Sequence, residues 1–171
     1  MTSPRVFALI GLGFASFACG VSQPAAVQFE SNAVNLQSCY QADAGCRTSG
    51  AVSTDDTICP GCYAVQIGSL PPDAATAASP GSVSLPFAVA PAPNRLLAYI
   101  AIIGNADAYA TLSVDICGVS RDLSPIIGPF RLELSINANE SAQIVATPHC
   151  MLTLSTENGS YEVSSVVARW D

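Results

Sequence analysis

Lysine is absent from this sequence, histidine occurs once, at His149, and tryptophan once, at Trp170. Without lysine, the positive charge rests on six arginines against thirteen acidic residues, a formal net charge of −7. Nucleic acid and anionic membrane surfaces both demand clustered positive charge, so neither fits as a partner. The lone histidine means that any serine–histidine or cysteine–histidine catalysis must use His149. It sits between Pro148 and Cys150, and no G-x-S-x-G nucleophile turn occurs anywhere in the chain. Charge is sparse, at 11%, but half of the residues are apolar. That is the composition of a folded globule and not of a disordered chain. Beyond the first twenty residues every apolar run is broken by Gly, Pro or a polar side chain, which leaves no further stretch of the roughly 20 apolar residues that a spanning helix needs.

The first twenty residues are of another kind. Arg5 is their only charge, and the run from Val6 to Ala15 continues through Ser16-Phe17-Ala18 to Cys19. A charged start and a short apolar middle, rich in Gly and Ala, form a secretion signal and not a span. Ser16-Phe17-Ala18-Cys19 resembles the end of a bacterial lipoprotein signal peptide. That resemblance implies cleavage before Cys19, lipid on Cys19 and tethering to a membrane, with Gly20 in place of Asp compatible with the outer membrane or cell surface. The same residues also make a small-x-small site for ordinary signal peptidase, and the product is then a soluble periplasmic or extracellular protein. The chain accordingly divides into a signal peptide (1–18), a tether (19–38) whose first part is flexible, and one domain (39–171).

Cysteine parity bears on the choice. With lipid on Cys19, six cysteines remain, at Cys39, Cys46, Cys59, Cys62, Cys117 and Cys150. An even number suits a disulfide framework in an oxidising compartment. Cys117 and Cys150 flank strands that a β fold could set side by side, and their pairing would contribute roughly 3 to 4 kcal/mol in the chain-entropy model. Pairing among the four earlier cysteines is open. Their segment, 39–62, is dense in Gly, Ser, Thr and Asp and has neither helical nor strand period.

Period-two alternation dominates the rest of the chain. Ala33–Leu36 can start a strand; Tyr63, Val65 and Ile67 share a face; Val83, Leu85, Phe87 and Val89 alternate, with Pro86 marking an edge strand. Residues 71–81 form a low-complexity loop closed by Pro80-Gly81. Leu96–Ile103 is apolar on both faces and reads as a central strand covered on both sides. Gly104–Asp107 reads as a turn, Ala110–Ile116 as its returning strand ending in a hairpin at Cys117-Gly118, and Ser120–Pro129 as a loop. Phe130–Ile136 is a half-buried strand, Asn137–Glu140 a turn, and Ser141–Thr147 a strand with Ala142, Ile144 and Ala146 inward. Cys150, Leu152 and Leu154 share the next face. Asn158-Gly159 is the strongest tight-hairpin signal before a last strand from Tyr161 to Trp170. With no helical pattern after the signal, the fold is all-β. It reads as an antiparallel β-sandwich, immunoglobulin-like arrangements included, with a disulfide-held, loop-rich N-terminal segment; a small closed barrel is the alternative.

Few residues carry chemistry. Cys59-Pro60-Gly61-Cys62 has redox spacing, but a strand follows it where a thiol-activating helix is needed, and its Pro-Gly order reverses the thioredoxin type. Adding Cys39 and Cys46 would make a four-thiolate zinc site, with loose spacing for that metal. Asp43, Asp55 and Asp56 are solvated loop acids without a calcium motif. Asn139-Glu140-Ser141 and Asn158-Gly159-Ser160 fit the N-glycosylation pattern in expected turns. Tyr40, Tyr63, Tyr109 and Trp170 are the aromatics to weigh for stacking against core packing. No cofactor or metal is expected. The reading is an exported, non-enzymatic interaction or structural module, anchored by lipid on Cys19 and meeting another envelope or extracellular protein. The alternatives are a secreted thiol–disulfide protein using Cys59 and Cys62, and a hydrolase using His149.

Overall fold

The computed structural model describes residues 29–41, 45–55, 63–69, 79–88 and 95–171. The signal, Cys19, the first part of the tether, Cys59, Cys62, Asp43 and Asp56 lie outside these residues.

Two strands set the frame. β6 (Leu97–Ile116) and β7 (Val119–Ser135) form a long antiparallel hairpin. Its two-residue turn is Cys117-Gly118, both with positive φ (53° and 87°), the geometry of the primed turns that match strand twist. β7 takes one edge of β6 along its whole length. The other edge is shared in series: β9 (Ser160–Trp170) pairs with Leu97–Asp107, and β8 (Met151–Thr156) pairs with Ser113–Ile116. β8 and β9 therefore run in one direction along β6 as two halves of a single row. The next row repeats the device. β1 (Phe29–Asn32) and β4 (Ala64–Ile67) lie one after the other beside β9, and β5 (Gly81–Pro86) lies beside β8. The outermost row is β2 (Arg47–Gly50) against β5, followed by β3 (Val52–Asp55) against β4.

All five rows bend at the same level. β6 breaks register between Ala106 and Leu112, and β8 gives way to β9 across Glu157–Gly159. Gly68 and Gly159 face each other at this line with φ of 78° each, and a Cβ on Gly68 would run into the carbonyl of Gly159. Only glycine satisfies both the backbone angle and the close approach. Beyond the bend the two halves of the sheet fold over and share one core. Val83, Leu85, Leu112, Val114, Ile116, Leu152 and Leu154 belong to one layer, Val65, Ile67, Ile100, Ile102, Val163, Val166 and Trp170 to the other, and all are buried in a single cluster. Phe87 of the first layer packs on Trp170 of the second at 6.5 Å between ring centres. Each such aliphatic side chain contributes about 1.5–3 kcal/mol on burial.

The open end opposite the bend is clasped by a helix, α1 (Ala138–Ala146). A straight strand the length of β6 would hold its ends about 65 Å apart. Here the N–H of Leu97, at its start, donates to Ser141 Oγ at 2.7 Å, while Gln143 Nε2 donates to the carbonyl of Cys117, just past its end, at 3.0 Å. Two helical side chains, two residues apart, thus hold both ends of the folded strand.

The all-β sandwich is as expected, formed by one folded antiparallel sheet, but several local expectations are corrected. Ser141–Thr147 is not a strand. Asn137 Oδ1 accepts the N–H groups of Asn139 and Glu140, and Glu140 returns a bond to the N–H of Asn137, so Asn-Ala-Asn-Glu is a helix-starting capping box and not a turn. Ser141 and Ile144, three apart, are the buried pair, while Ala142 and Ala146 are exposed. Ser120–Pro129 is not a loop but part of β7. Its prolines are tolerated because, among the described residues, β7 is an outer row with β6 as its one neighbour, so half of its N–H groups have no ladder there to complete. Gly104–Asp107 and Asn158-Gly159 bend the chain without reversing it. β5 is an inner row between β2 and β8; Pro86 lies past the last residue of β5 that β2 pairs, Ser84, so its missing N–H interrupts no bond to β2. β1, with Ala33, Val34 and Leu36 in the core and a 3₁₀ turn at Leu36–Cys39, places the start of the folded unit at or before Phe29, inside the expected tether, and not at Cys39.

Candidate functional site

The cysteines resolve part of the chemistry. Cys39 pairs with Cys46 and Cys117 with Cys150, with Cα separations of 5.0 and 5.4 Å. The first bond removes two ligands from the four-thiolate zinc reading, which is thereby excluded. Among the described residues no group of three or more His, Cys, Asp or Glu gathers as a metal site. The redox pair Cys59 and Cys62 lies outside the described residues, but the segment that follows it is β4 and not a helix.

His149 lies on the surface in the turn between α1 and β8, with φ of 54°. Histidine is among the residues enriched in that left-handed region, which gives it a backbone role. Its ring makes no hydrogen bond or ion pair among the described residues, so none of their carboxylates orients it for catalysis. In both glycosylation motifs the asparagine is exposed while the serine is fully buried: Ser141 holds Leu97, and Ser160 Oγ accepts from Gln66 Nε2 at 2.8 Å. Each serine has a structural reason to be there. Tyr161 and Trp170 are core residues whose OH and Nε1 have no hydrogen-bond partner among the described residues. Burial alone pushes the Tyr161 hydroxyl pKa far above its ordinary value, so it stays protonated. Of the aromatics weighed for stacking, Trp170 is therefore core, and the Tyr109 side chain lies outside the described residues.

Tyr63 differs from these. It is 37% exposed and borders a cleft of about 290 Å³. The cleft exists because the fourth row is interrupted. β1 pairs with β9 down to Asn32 opposite Val167, and the N–H of Ala33 donates to Val166; β4 resumes pairing only at Val65 opposite Val163. Between these points Ser164 and Ser165 face a gap. Opposite β6 the same place is a bulge: Ile103 pairs with Ser165 and Gly104 with Val163, leaving Ser164 as the extra residue. Bulges of this kind re-aim side chains and are over-represented beside binding sites.

The chain that leaves the row after Ala33 supplies the cleft walls. Val34, Leu36 and Val166, all buried, make its floor, and the rim is Asn32, Asn35, Gln37, Tyr63, Ser164 and Ser165. Asn35 caps the 3₁₀ turn by accepting the N–H of Gln37 at 3.1 Å, which fixes the amide carbonyl and leaves its NH₂ for other partners. The side-chain amides of Asn32 and Gln37 and the hydroxyls of Tyr63 and Ser165 make no hydrogen bond among the described residues. Tyr63 is held nonetheless. Its ring lies edge-to-face with Tyr40 at 5.2 Å and 71°, and the Tyr40 hydroxyl donates to the carbonyl of Ala64. A second depression of about 390 Å³, reaching to Pro86 and Phe87, shares Asn32, Val34 and Asn35 with the first. Sequence reasoning named Tyr63 as a stacking candidate but missed Asn32, Asn35, Gln37 and Ser165. An Asn two residues before Gln, opening a short turn, is too common a pattern to mark a site.

No protein-family model matches the chain, and no curated protein does either. Among solved structures, an exo-β-1,3-galactanase from Phanerochaete chrysosporium, determined with galactose, is similar in fold with a TM-score of 0.46 and 11% identity. The match covers 85% of this chain and 30% of that one, so the chain spans less than a third of the enzyme's length. No chemistry is carried over from it.

Proposed function

We propose that the chain is an exported lipoprotein, tethered to an outer or surface membrane through Cys19, whose β-sandwich is a non-enzymatic interaction or structural module. The observation that carries this is the pair of disulfides. Cys39–Cys46 and Cys117–Cys150 belong to an oxidising compartment, which an exported protein reaches and a cytosolic one does not. They also sharpen the arithmetic at the N-terminus. With four cysteines consumed, Cys59 and Cys62 are left to pair with each other, and Cys19 is the odd one, free for lipid. A pairing of Cys59 with Cys62 gives the C-x-x-C a covalent role in the loop before β4 and competes with the redox reading.

Intact-mass analysis of the mature protein recovered from membranes tests the tether. The expected result is a chain that begins at Cys19 and carries the mass of acyl groups there; an unmodified Cys19, or a terminus elsewhere, refutes it. Thiol counting under denaturing, non-reducing conditions separates the redox alternative, which requires Cys59 and Cys62 to open in mild reductant. For the hydrolase alternative, turnover that survives in His149→Ala removes the residue on which it depends.

A further inference from the structure

We propose that the cleft between β1 and β4 binds a neutral, hydroxyl-rich ligand, the terminal or internal sugar residues of an uncharged glycan, with the Tyr63 ring as its apolar platform. This rests on the reading of the domain as an interaction module but not on the lipid at Cys19, so mass analysis and binding measurements fail separately.

The protein carries a net charge of −7, yet none of the nine residues that line this cleft is ionisable in the physiological range. A charged ligand would find no counter-ion there, and burying an unpaired charge is strongly unfavourable. An apolar ligand fits no better. The rim presents amide and hydroxyl groups whose hydrogen-bonding capacity is unspent among the described residues, and covering them with hydrocarbon would leave them unsatisfied. A ligand must therefore be uncharged, able both to donate and to accept, and have one face that tolerates an aromatic ring. Sugars meet all three conditions. Their ring C–H groups form an apolar face that lies on a tyrosine, while their hydroxyls reach amide groups at the edge.

The site is also built ahead of its ligand. Tyr63 is positioned by Tyr40, Asn35 by the N–H of Gln37, and Ser164 by its bond to the carbonyl of Ile103 at 3.2 Å. Groups fixed before binding lose less entropy on binding, which matters for a shallow site. At about 290 Å³ the cleft is at the small end of the roughly 300–1,000 Å³ of small-molecule sites, and the adjoining depression that shares Asn32, Val34 and Asn35 extends it for a second residue of a chain. An extended, uncharged peptide presents some of the same hydrogen-bonding groups, but it lacks the density of hydroxyls that the unpaired amide and hydroxyl groups around one ring would satisfy.

The test is calorimetric titration of the purified disulfide-bonded protein with glucose-, galactose- and mannose-based neutral tetrasaccharides, alongside an uncharged Ser/Thr/Val octapeptide. At least one saccharide is expected to bind with a Kd of about 1 mM or tighter, and the octapeptide is not. Tyr63→Ala and Gln37→Ala should each weaken that binding at least tenfold. Tyr63→Phe should retain most of it, and Asp122→Asn, on the other layer, all of it. Should Tyr63→Ala prove unfolded by circular dichroism, Gln37→Ala and a cleft-filling Ser165→Trp, both at the rim, decide the matter. Saccharide binding that survives these variants, no saccharide binding at all, or tighter binding of the octapeptide overturns the proposal.

Discussion

The C-terminal and N-terminal halves of the domain build the same sheet by different means. From residue 95 onward, β6 and β7 run unbroken through the bend and carry both layers in one piece of chain. Before residue 89, the two rows farthest from β7 are assembled from five short strands laid end to end, β1, β4 and β5 in one row and β2 and β3 in the other. A continuous strand ties one layer to the other through its own backbone even where its register shifts at the bend, whereas a piecewise row needs something else to hold its parts in line. The Cys39–Cys46 bond lies between β1 and β2, and the tyrosine pair Tyr40–Tyr63 joins that segment to β4. Breaks in a row are also where a cleft can open without cost to the ladder. The long strands supply the rigidity, and the interruption supplies the surface with unspent hydrogen bonds.

Truncation in the core should expose the contrast most strongly. Ile102→Ala, at a fully buried position of β6, is expected to cost about 2–5 kcal/mol because the continuous strands around it relax little into the cavity. Val65→Ala in the four-residue β4, equally buried, removes less volume and sits in a short piece that can shift, so it should fall below that range. Urea unfolding midpoints for the two variants, with unchanged slopes, check this; equal losses, despite the smaller volume removed at Val65, would mean that β4 yields no more readily than β6. Removing the disulfides should divide the halves in a second way. The loops closed by Cys117–Cys150 and Cys39–Cys46 span 33 and 7 residues. In the chain-entropy model they contribute about 3.7 and 2.4 kcal/mol. The Cys117–Cys150 pair, however, joins neighbouring strands already aligned by the bond from the N–H of Cys117 to Met151. Replacing it by serines should lower the melting temperature and leave the saccharide affinity unaltered. Replacing Cys39 and Cys46 should lower the melting temperature less and the affinity more, because the cleft wall adjoins that bond in the chain.

The rows themselves were legible in the sequence wherever alternation was clean: β5, the second half of β6 and β8 bury the side chains that period two assigns to one face, whereas Tyr63, read on the face of Val65 and Ile67, is exposed. What misled was the meaning of the punctuation. Gly104-Asn105, Gly128-Pro129, Asn158-Gly159 and Pro80-Gly81 are ordinary reversal signals, but in this fold they fall at or near one line across the sheet where every row bends. A bend needs the same backbone freedom as a hairpin, so local chemistry does not distinguish them. Only the pairing partners on either side do. The helix was missed for a related reason: Ala142, Ile144 and Ala146 alternate as in a strand, and the capping box Asn137-x-x-Glu140 before them carried the opposite message. The cleft was the least legible feature, because it is made by a gap between β1 and β4, which are far apart in sequence, and by polar side chains with no motif of their own.

The smallest expected effect concerns the clasp at the open end. The N–H of Asn137 donates to Glu140, and Arg121 at the start of β7 pairs with it, and in that order these two hold the Glu140 carboxyl below the usual carboxylate pKa. A pKa lower in the folded chain than in the unfolded one means that the folded state favours the ionised form. The contribution to stability is therefore complete above the unfolded value near 4.5 and is lost as the pH falls through the folded one. Both groups are solvent-facing, so screening by salt keeps the effect small. Urea midpoints measured between pH 7 and pH 3 should fall more steeply for the parent than for Glu140→Gln, which keeps a capping side chain but has no proton to gain. Parallel curves would show that the helix is held by Ser141 and Gln143 alone, and that the two ends of β6 are clasped without any help from charge.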